Sequence, residues 1–84
     1  MLMKRLDVRG LRCPLPVLKT HRMMKALQAG ETLEVLATDK DAPKDVRHYC
    51  QNGGHAWLGV ETCAQGDRPI EFIIRLRKGT GGEA

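Results

Sequence analysis

Two stretches of helical spacing, each opened by proline and each set between stretches of alternating hydrophobicity, constrain this chain most. The first runs from Pro14 to about Gln28. There Val17, Thr20, Met24 and Leu27 recur along one stripe, while Lys19, Arg22 and Lys25 fall elsewhere. Gly30 reads as its stop. The second is capped by Asp39 or Asp41, has Pro43 in its first turn, and shows Ala42, Val46, Tyr49 and Cys50 on one face before Gly53-Gly54 ends it. Four alternating segments surround them: Leu6 to Val8, TLEVLAT (Thr32–Thr38), HAWLGVETC (His55–Cys63) and IEFIIRL (Ile70–Leu76). Strict alternation puts Leu33, Val35 and Ala37 on one face and turns Ile70, Phe72, Ile74 and Leu76 inward. It groups Trp57, Gly59, Glu61 and Cys63 on the outer sheet face.

The order is therefore β-α-β-α-β-β. Strand–helix–strand units make right-handed parallel crossovers, and the last two strands, joined through AQGDRP, make a hairpin. The expected architecture is a mixed four-stranded sheet with two helices on one face. With 84 residues the chain is one small domain, read as residues 1–79, followed by a flexible Gly-rich tail over 80–84. Hydrophobic residues at 42% and charged residues at 29% exclude a disordered chain.

Three aromatics, Tyr49, Trp57 and Phe72, are too few for a base-stacking surface, and a net charge of +4 is mild for a nucleic-acid binder. No direct nucleic-acid partner is expected. No apolar run approaches the roughly 20 residues of a membrane span, and MLMKRLDV lacks the apolar centre of a signal peptide. The expected setting is the cytoplasm, without a membrane partner. Three cysteines cannot all pair within one chain and show no C-x-x-C spacing, so at least one thiol is free.

The stretch LDVRGLRCPLPVLK (Leu6–Lys19) places Cys13 where the first helix begins. Proline is tolerated in a first helical turn because its missing N–H would be unbonded there anyway. With Cys13 as N-cap, Pro14 and Pro16 are the first and third helical residues, and their preset φ angles stiffen the turn. The sulfur then sits at the positive end of the helix dipole, near Arg9 and Arg12, with the Leu15 N–H open to it. Such surroundings favour thiolate. The expectation is a rigid, exposed, electropositive thiol. The commoner role of a free cysteine is inert packing; the flanking arginines and prolines argue against it here.

These residues, with the following helix, GETLEVLATD and the closing IEFIIRLRKG, resemble the TusA (SirA-like) sulfur-carrier family from Leu6 to Gly79. The most specific part is Gly10, Leu11, Arg12, Cys13, Pro14 and Pro16, a C-P-x-P motif. The resemblance implies a two-layer α/β sandwich like the C-terminal domain of translation initiation factor three. It implies a persulfide sulfur held on Cys13, taken from a donor such as a cysteine desulfurase or rhodanese and passed to an acceptor protein thiol. The implied pathways are tRNA thiolation, cofactor synthesis or sulfur oxidation. The chain is then a monomeric sulfurtransferase-type carrier rather than a turnover enzyme, and needs no cofactor. Arg12, Pro14, Leu15 and Pro16 shape the site. Many relatives carry Glu where this chain has Leu15. Many also carry an acidic-acidic-Pro-Ala turn where it reads Asp39-Lys40-Asp41-Ala42-Pro43. Both departures bear on partner choice rather than on the sulfur.

The remaining candidates are weaker. Lys19, Arg22 and Lys25 form a basic helix edge, either a solvated face or a dock for an acidic partner. His21 lies about two turns from Cys13, too far to act as its base. His48 and His55 read as surface or turn residues, Cys50 as core and Cys63 as incidental. His48 with Cys50 is too sparse for a metal site, so no metal is expected. Gly81-Gly82 resembles the thiocarboxylate end of other sulfur carriers, but Glu83-Ala84 follows it. Two other classes compete: a basic RNA- or protein-binding module with a structural Cys13, and a thiol-redox regulator.

Overall fold

The computed structural model describes residues 3–79; the 80–84 tail and its Gly81-Gly82 lie outside the described residues. The elements are β1 (Met3–Asp7), α1 (Leu15–Ala26), β2 (Thr32–Ala37), α2 (Ala42–Gly53), β3 (Ala56–Cys63) and β4 (Glu71–Arg77). They form a four-stranded mixed sheet in the order β1-β2-β4-β3. β1 runs parallel to β2, and β4 is antiparallel to both β2 and β3. This is the α/β sandwich expected from the pattern.

Register decides the core. Leu33 faces Leu76, Val35 faces Ile74 and Ala37 faces Phe72 across β2 and β4, while Leu6 of β1 lies beside Val35. Partners in register share a face, so this face is apolar and takes both helices. α1 contributes the buried Thr20 and Met24, and Leu27 follows its end; α2 contributes Ala42, Val46 and Cys50. Burying one such large aliphatic side chain stabilises by roughly 1.5–3 kcal/mol. The opposite face carries Glu34, which is 5% exposed and held between Arg5 and Arg75. Burial raises the Glu34 pKa, but the hydrogen bonds from both arginines outweigh it and leave the carboxyl below its ordinary value.

Two readings from alternation change. A bulge between Trp57 and Gly59 breaks the β3 register, so Trp57 pairs with Leu76 and packs on the core, while Gly59, Glu61 and Cys63 keep the outer face. Ile70 precedes β4 and stands 49% exposed instead of inward. The first helix also ends before Gly30: Leu27 is its C-cap, and Gly30, with φ 90°, serves the turn into β2. Lys78 Nζ donates to the Leu27 carbonyl at 2.7 Å and closes that end. The second helix ends on Gly54 at φ 75°. A Cβ on Gly79 would collide with the Gly54 carbonyl, so the chain beyond β4 passes this cap closely only as glycine.

Candidate functional site

The topology brings both helix starts together. Each helix follows one of two parallel strands, so both begin at the same sheet edge. Val8 continues β1 toward this edge by donating its N–H to the Leu36 carbonyl at 2.8 Å. The β1–α1 loop then turns through Gly10, at φ 84°, whose N–H donates to Thr38 Oγ1 at 2.9 Å.

The start of α1 differs in register from the sequence reading. Pro14, not Cys13, is the N-cap, and the Cys13–Pro14 peptide is cis. Leu15 is the first helical residue and Pro16 the second, where a missing N–H costs nothing. The Leu15 N–H is not open to the sulfur, because it donates to the Arg12 carbonyl at 2.9 Å. The two prolines also separate: Pro14 is exposed, whereas Pro16 is fully buried and packs the helix start down. The Pro16 carbonyl accepts from Thr20 Oγ1 at 2.8 Å.

Cys13 is exposed. It opens onto a groove of about 480 Å³ between the helices, with Pro14 and Val17 on one side and Asp45, His48, Tyr49, Asn52 and Gly53 on the other. Its surroundings are acidic rather than electropositive. The Cys13 N–H donates to Asp39 Oδ2 at 3.1 Å. Asp41 is the N-cap of α2, and Asp45 stands in its first turn. The Asp45 carboxylate, as acceptor for the S–H, raises the Cys13 pKa above its ordinary value; desolvation and the charges of Asp45, Asp39 and Asp41 add to this. The expected arginines do not offset them. Arg9 is engaged with Asp7 at 2.8 Å and with Glu71 at 3.5 Å. Arg12 lines a separate hollow of about 520 Å³ with Gly10, Leu11, Thr38, Asp39, Lys40 and Pro69.

The other named residues take varied places in the fold. Leu15 is 43% exposed on α1 beside it, and Leu18 is 55% exposed. Lys19, Arg22 and Lys25 are exposed on the same helix, and none joins an ion pair among the described residues. Cys50 is buried, and desolvation pushes its thiol up to about 11. Cys63 is exposed at the far end of β3. His21 is not a lone helix-flank residue: its Nδ1 meets Tyr49 Oη at 3.1 Å, and Tyr49 stacks on His55. Burial first, then the charges of Lys78 and His21, lowers the His55 pKa. Its Nδ1 accepts the Gly79 N–H at 3.0 Å, which leaves any ring proton to Nε2. Among the described residues no group of His, Cys, Asp or Glu could hold a metal ion, and no helix is long and apolar enough to cross a membrane.

The Asp39-Lys40-Asp41-Ala42-Pro43 turn lies near the thiol, as the sequence comparison implied, but sequence reasoning missed its charge on the sulfur, Asp45 as a further neighbour and His48 as a wall of the groove. The usable signal was the topology itself. In consecutive β-α units both helix N-termini sit at the strands' carboxyl edge, so acidic residues opening α2 face a cysteine opening α1.

The family described as Sulfurtransferase TusA matches residues 4–78. The chain belongs to the TusA family. Among its relatives, "Putative sulfur carrier protein YrkF" of Bacillus subtilis is 46% identical over 74 residues, which are 88% of this chain but 37% of that protein. The chain thus spans little more than a third of that relative's length. "Putative sulfur carrier protein YrkI" of the same organism is 44% identical over 64 residues, covering 76% of this chain and 83% of that one. The crystal structure of a SirA-like protein from Desulfitobacterium hafniense superposes with a TM-score of 0.67 over 94% of this chain and all of that one. Its 19% identity makes it a likeness of fold.

Proposed function

We propose that this TusA-family protein is a persulfide carrier whose sulfur rides on Cys13. The supporting observation is an exposed thiol at a fixed helix start, facing an open groove between two helices. Loading begins when the Cys13 sulfur attacks the outer sulfur of a donor persulfide. The donor is a cysteine desulfurase or a rhodanese, and its own thiol leaves. Delivery is the same exchange reversed in role: an acceptor protein thiolate attacks the outer sulfur and Cys13 leaves. Neither step needs a cofactor or a base in this chain. Both need room around the sulfur, which the groove provides, and a cysteine held still, which the buried Pro16 and the Asp39 hydrogen bond supply.

Partner proteins dock on α1 in this reading. Leu15 and Leu18 offer apolar contact, and Lys19, Arg22 and Lys25 steer an acidic partner toward it. Pro14 and Arg12 shape the rim. The chain works as a monomer in the cytoplasm, where reducing conditions suit free thiols. Its sulfur serves tRNA thiolation, cofactor synthesis or sulfur oxidation.

The test is peptide-resolved mass spectrometry after incubation with a cysteine desulfurase and cysteine. One added sulfur atom on the Cys13 peptide, absent from Cys13→Ser, is the expected result. Absence of sulfur from Cys13, with RNA affinity that survives Cys13→Ser, would replace the carrier by a binding module.

A further inference from the structure

The charges that act on the Cys13 sulfur come from three carboxylates of the next β-α unit. Asp39 comes from the segment after β2 and takes the Cys13 N–H at 3.1 Å. Asp41 and Asp45 come from the start of α2, and Asp45 walls the groove onto which the sulfur opens. The two nearby arginines are turned elsewhere: Arg9 is paired with Asp7 and Glu71, and Arg12 lines the neighbouring hollow with Lys40. His48 and Tyr49 line the same groove.

Resting on the carrier reading, we infer that Asp39, Asp41 and Asp45 are positioning residues that bias the sulfur on Cys13 toward release. A hydropersulfide is a stronger acid than the thiol that bears it, so at neutral pH the loaded carrier is an anion. The empty carrier is a neutral thiol, whose S–H Asp45 stabilises by accepting it. Three carboxylates therefore raise the energy of the loaded form relative to the empty one. The exchange balances without any oxidant. The acceptor thiol gives up its proton and attacks the outer sulfur. The S–S bond to Cys13 breaks, its electron pair returns to the Cys13 sulfur, and that sulfur takes up one proton. The anionic charge leaves with the outer sulfur, away from the carboxylates. Loading must then be driven by contact with the donor, while unloading runs downhill in this site's own field.

The bias is read by equilibrating the protein with glutathione persulfide and glutathione at neutral pH. Peptide-resolved mass spectrometry then gives the loaded-to-empty ratio at Cys13. For exposed charge pairs the expected change is roughly two- to fivefold toward the loaded form on Asp45→Asn, and a similar step on Asp41→Asn. Asp45→Glu keeps the parent ratio, which separates charge from packing. The unaltered protein supplies a control that needs no variant: raising salt moves its ratio toward the loaded form by screening the same charges. Alkylation of Cys13 against pH should show its midpoint shifted down in Asp45→Asn. A ratio indifferent both to salt and to Asp45→Asn, in a protein that does load Cys13, overturns this inference alone. A protein that never loads Cys13 overturns the carrier reading itself.

Discussion

Replacing Pro16 by alanine tests how the fold holds the thiol in place. Pro16 is fully buried at the second position of α1, while its partner Pro14 is exposed. Alanine removes two buried ring carbons, at roughly 0.8 kcal/mol each. It also frees the unfolded chain, which costs about 0.4–1 kcal/mol more. Helix propensity gives little back, because proline's missing N–H is not needed at this position. The expected destabilisation is about 2–3 kcal/mol. In a domain of this size that lowers the melting temperature by roughly 8–24 °C. Thermal unfolding followed by far-ultraviolet circular dichroism measures it, with Leu15→Ala as a surface control expected to stay within about 0.5 kcal/mol of the parent. A stability margin of about 5 kcal/mol or more keeps Pro16→Ala folded at room temperature. Slower sulfur loading there would therefore report a loosened helix start rather than unfolding. A Pro16→Ala protein that melts within a degree or two of the parent would refute the packing role assigned to this ring.

Three further outcomes are expected. The neutral reagent iodoacetamide should label Cys13 and Cys63 well before Cys50, whose thiol is buried and pushed up to about 11; negatively charged iodoacetate should lag at Cys13, and salt should narrow the gap. Early labelling of Cys50 in the native protein would contradict its place in the core. Reversing Lys19, Arg22 and Lys25 to Glu should slow loading by an acidic donor strongly at low salt and less at high salt, and stopped-flow loading across a salt series reads this. A parent loading rate that ignores salt would remove the steering role. Asp7, lowered from its usual range to about 2 by hydrogen bonds from Arg9, contributes stability that is present above its unfolded pKa and is lost as pH falls through about 2. Arg9→Ala should therefore reduce stability at neutral pH and flatten its decline between about pH 4 and pH 2; identical acid profiles would show the pair to be inert.

Much of the fold was legible because period and burial are directly linked. Leu33, Val35 and Ala37 alternate in TLEVLAT and are all buried; Val46 and Cys50 repeat at helical spacing and are both buried. The misreadings come where local pattern and tertiary structure part. The bulge beside Leu58 inserts one residue into β3, which moves Trp57 to the core without leaving any trace in a period-two count. Ile70 continues the alternation of β4 but lies before its first ladder pair. At the site, Cys13 and its prolines were visible in the sequence, but their electrostatics were not. Arg9 looks free along the chain, yet its guanidinium is shared by Asp7, two residues away, and Glu71, sixty-two residues away. The carboxylates that do face Cys13 arrive from the next β-α unit. Local sequence suggested a positive helix terminus; the folded chain surrounds that terminus with negative charge.

The central claim is that Cys13 both takes and surrenders sulfur. The most direct measurement starts with protein loaded on Cys13, freed of donor, and mixed with one equivalent of an acceptor thiol protein. Intact and peptide-resolved masses are then followed over a single turnover. The account predicts that the Cys13 peptide loses one sulfur atom as the acceptor gains one, leaving Cys13 a free thiol. Sulfur that stays on Cys13, or that ends as a disulfide between Cys13 and Cys63 with none on the acceptor, would contradict it.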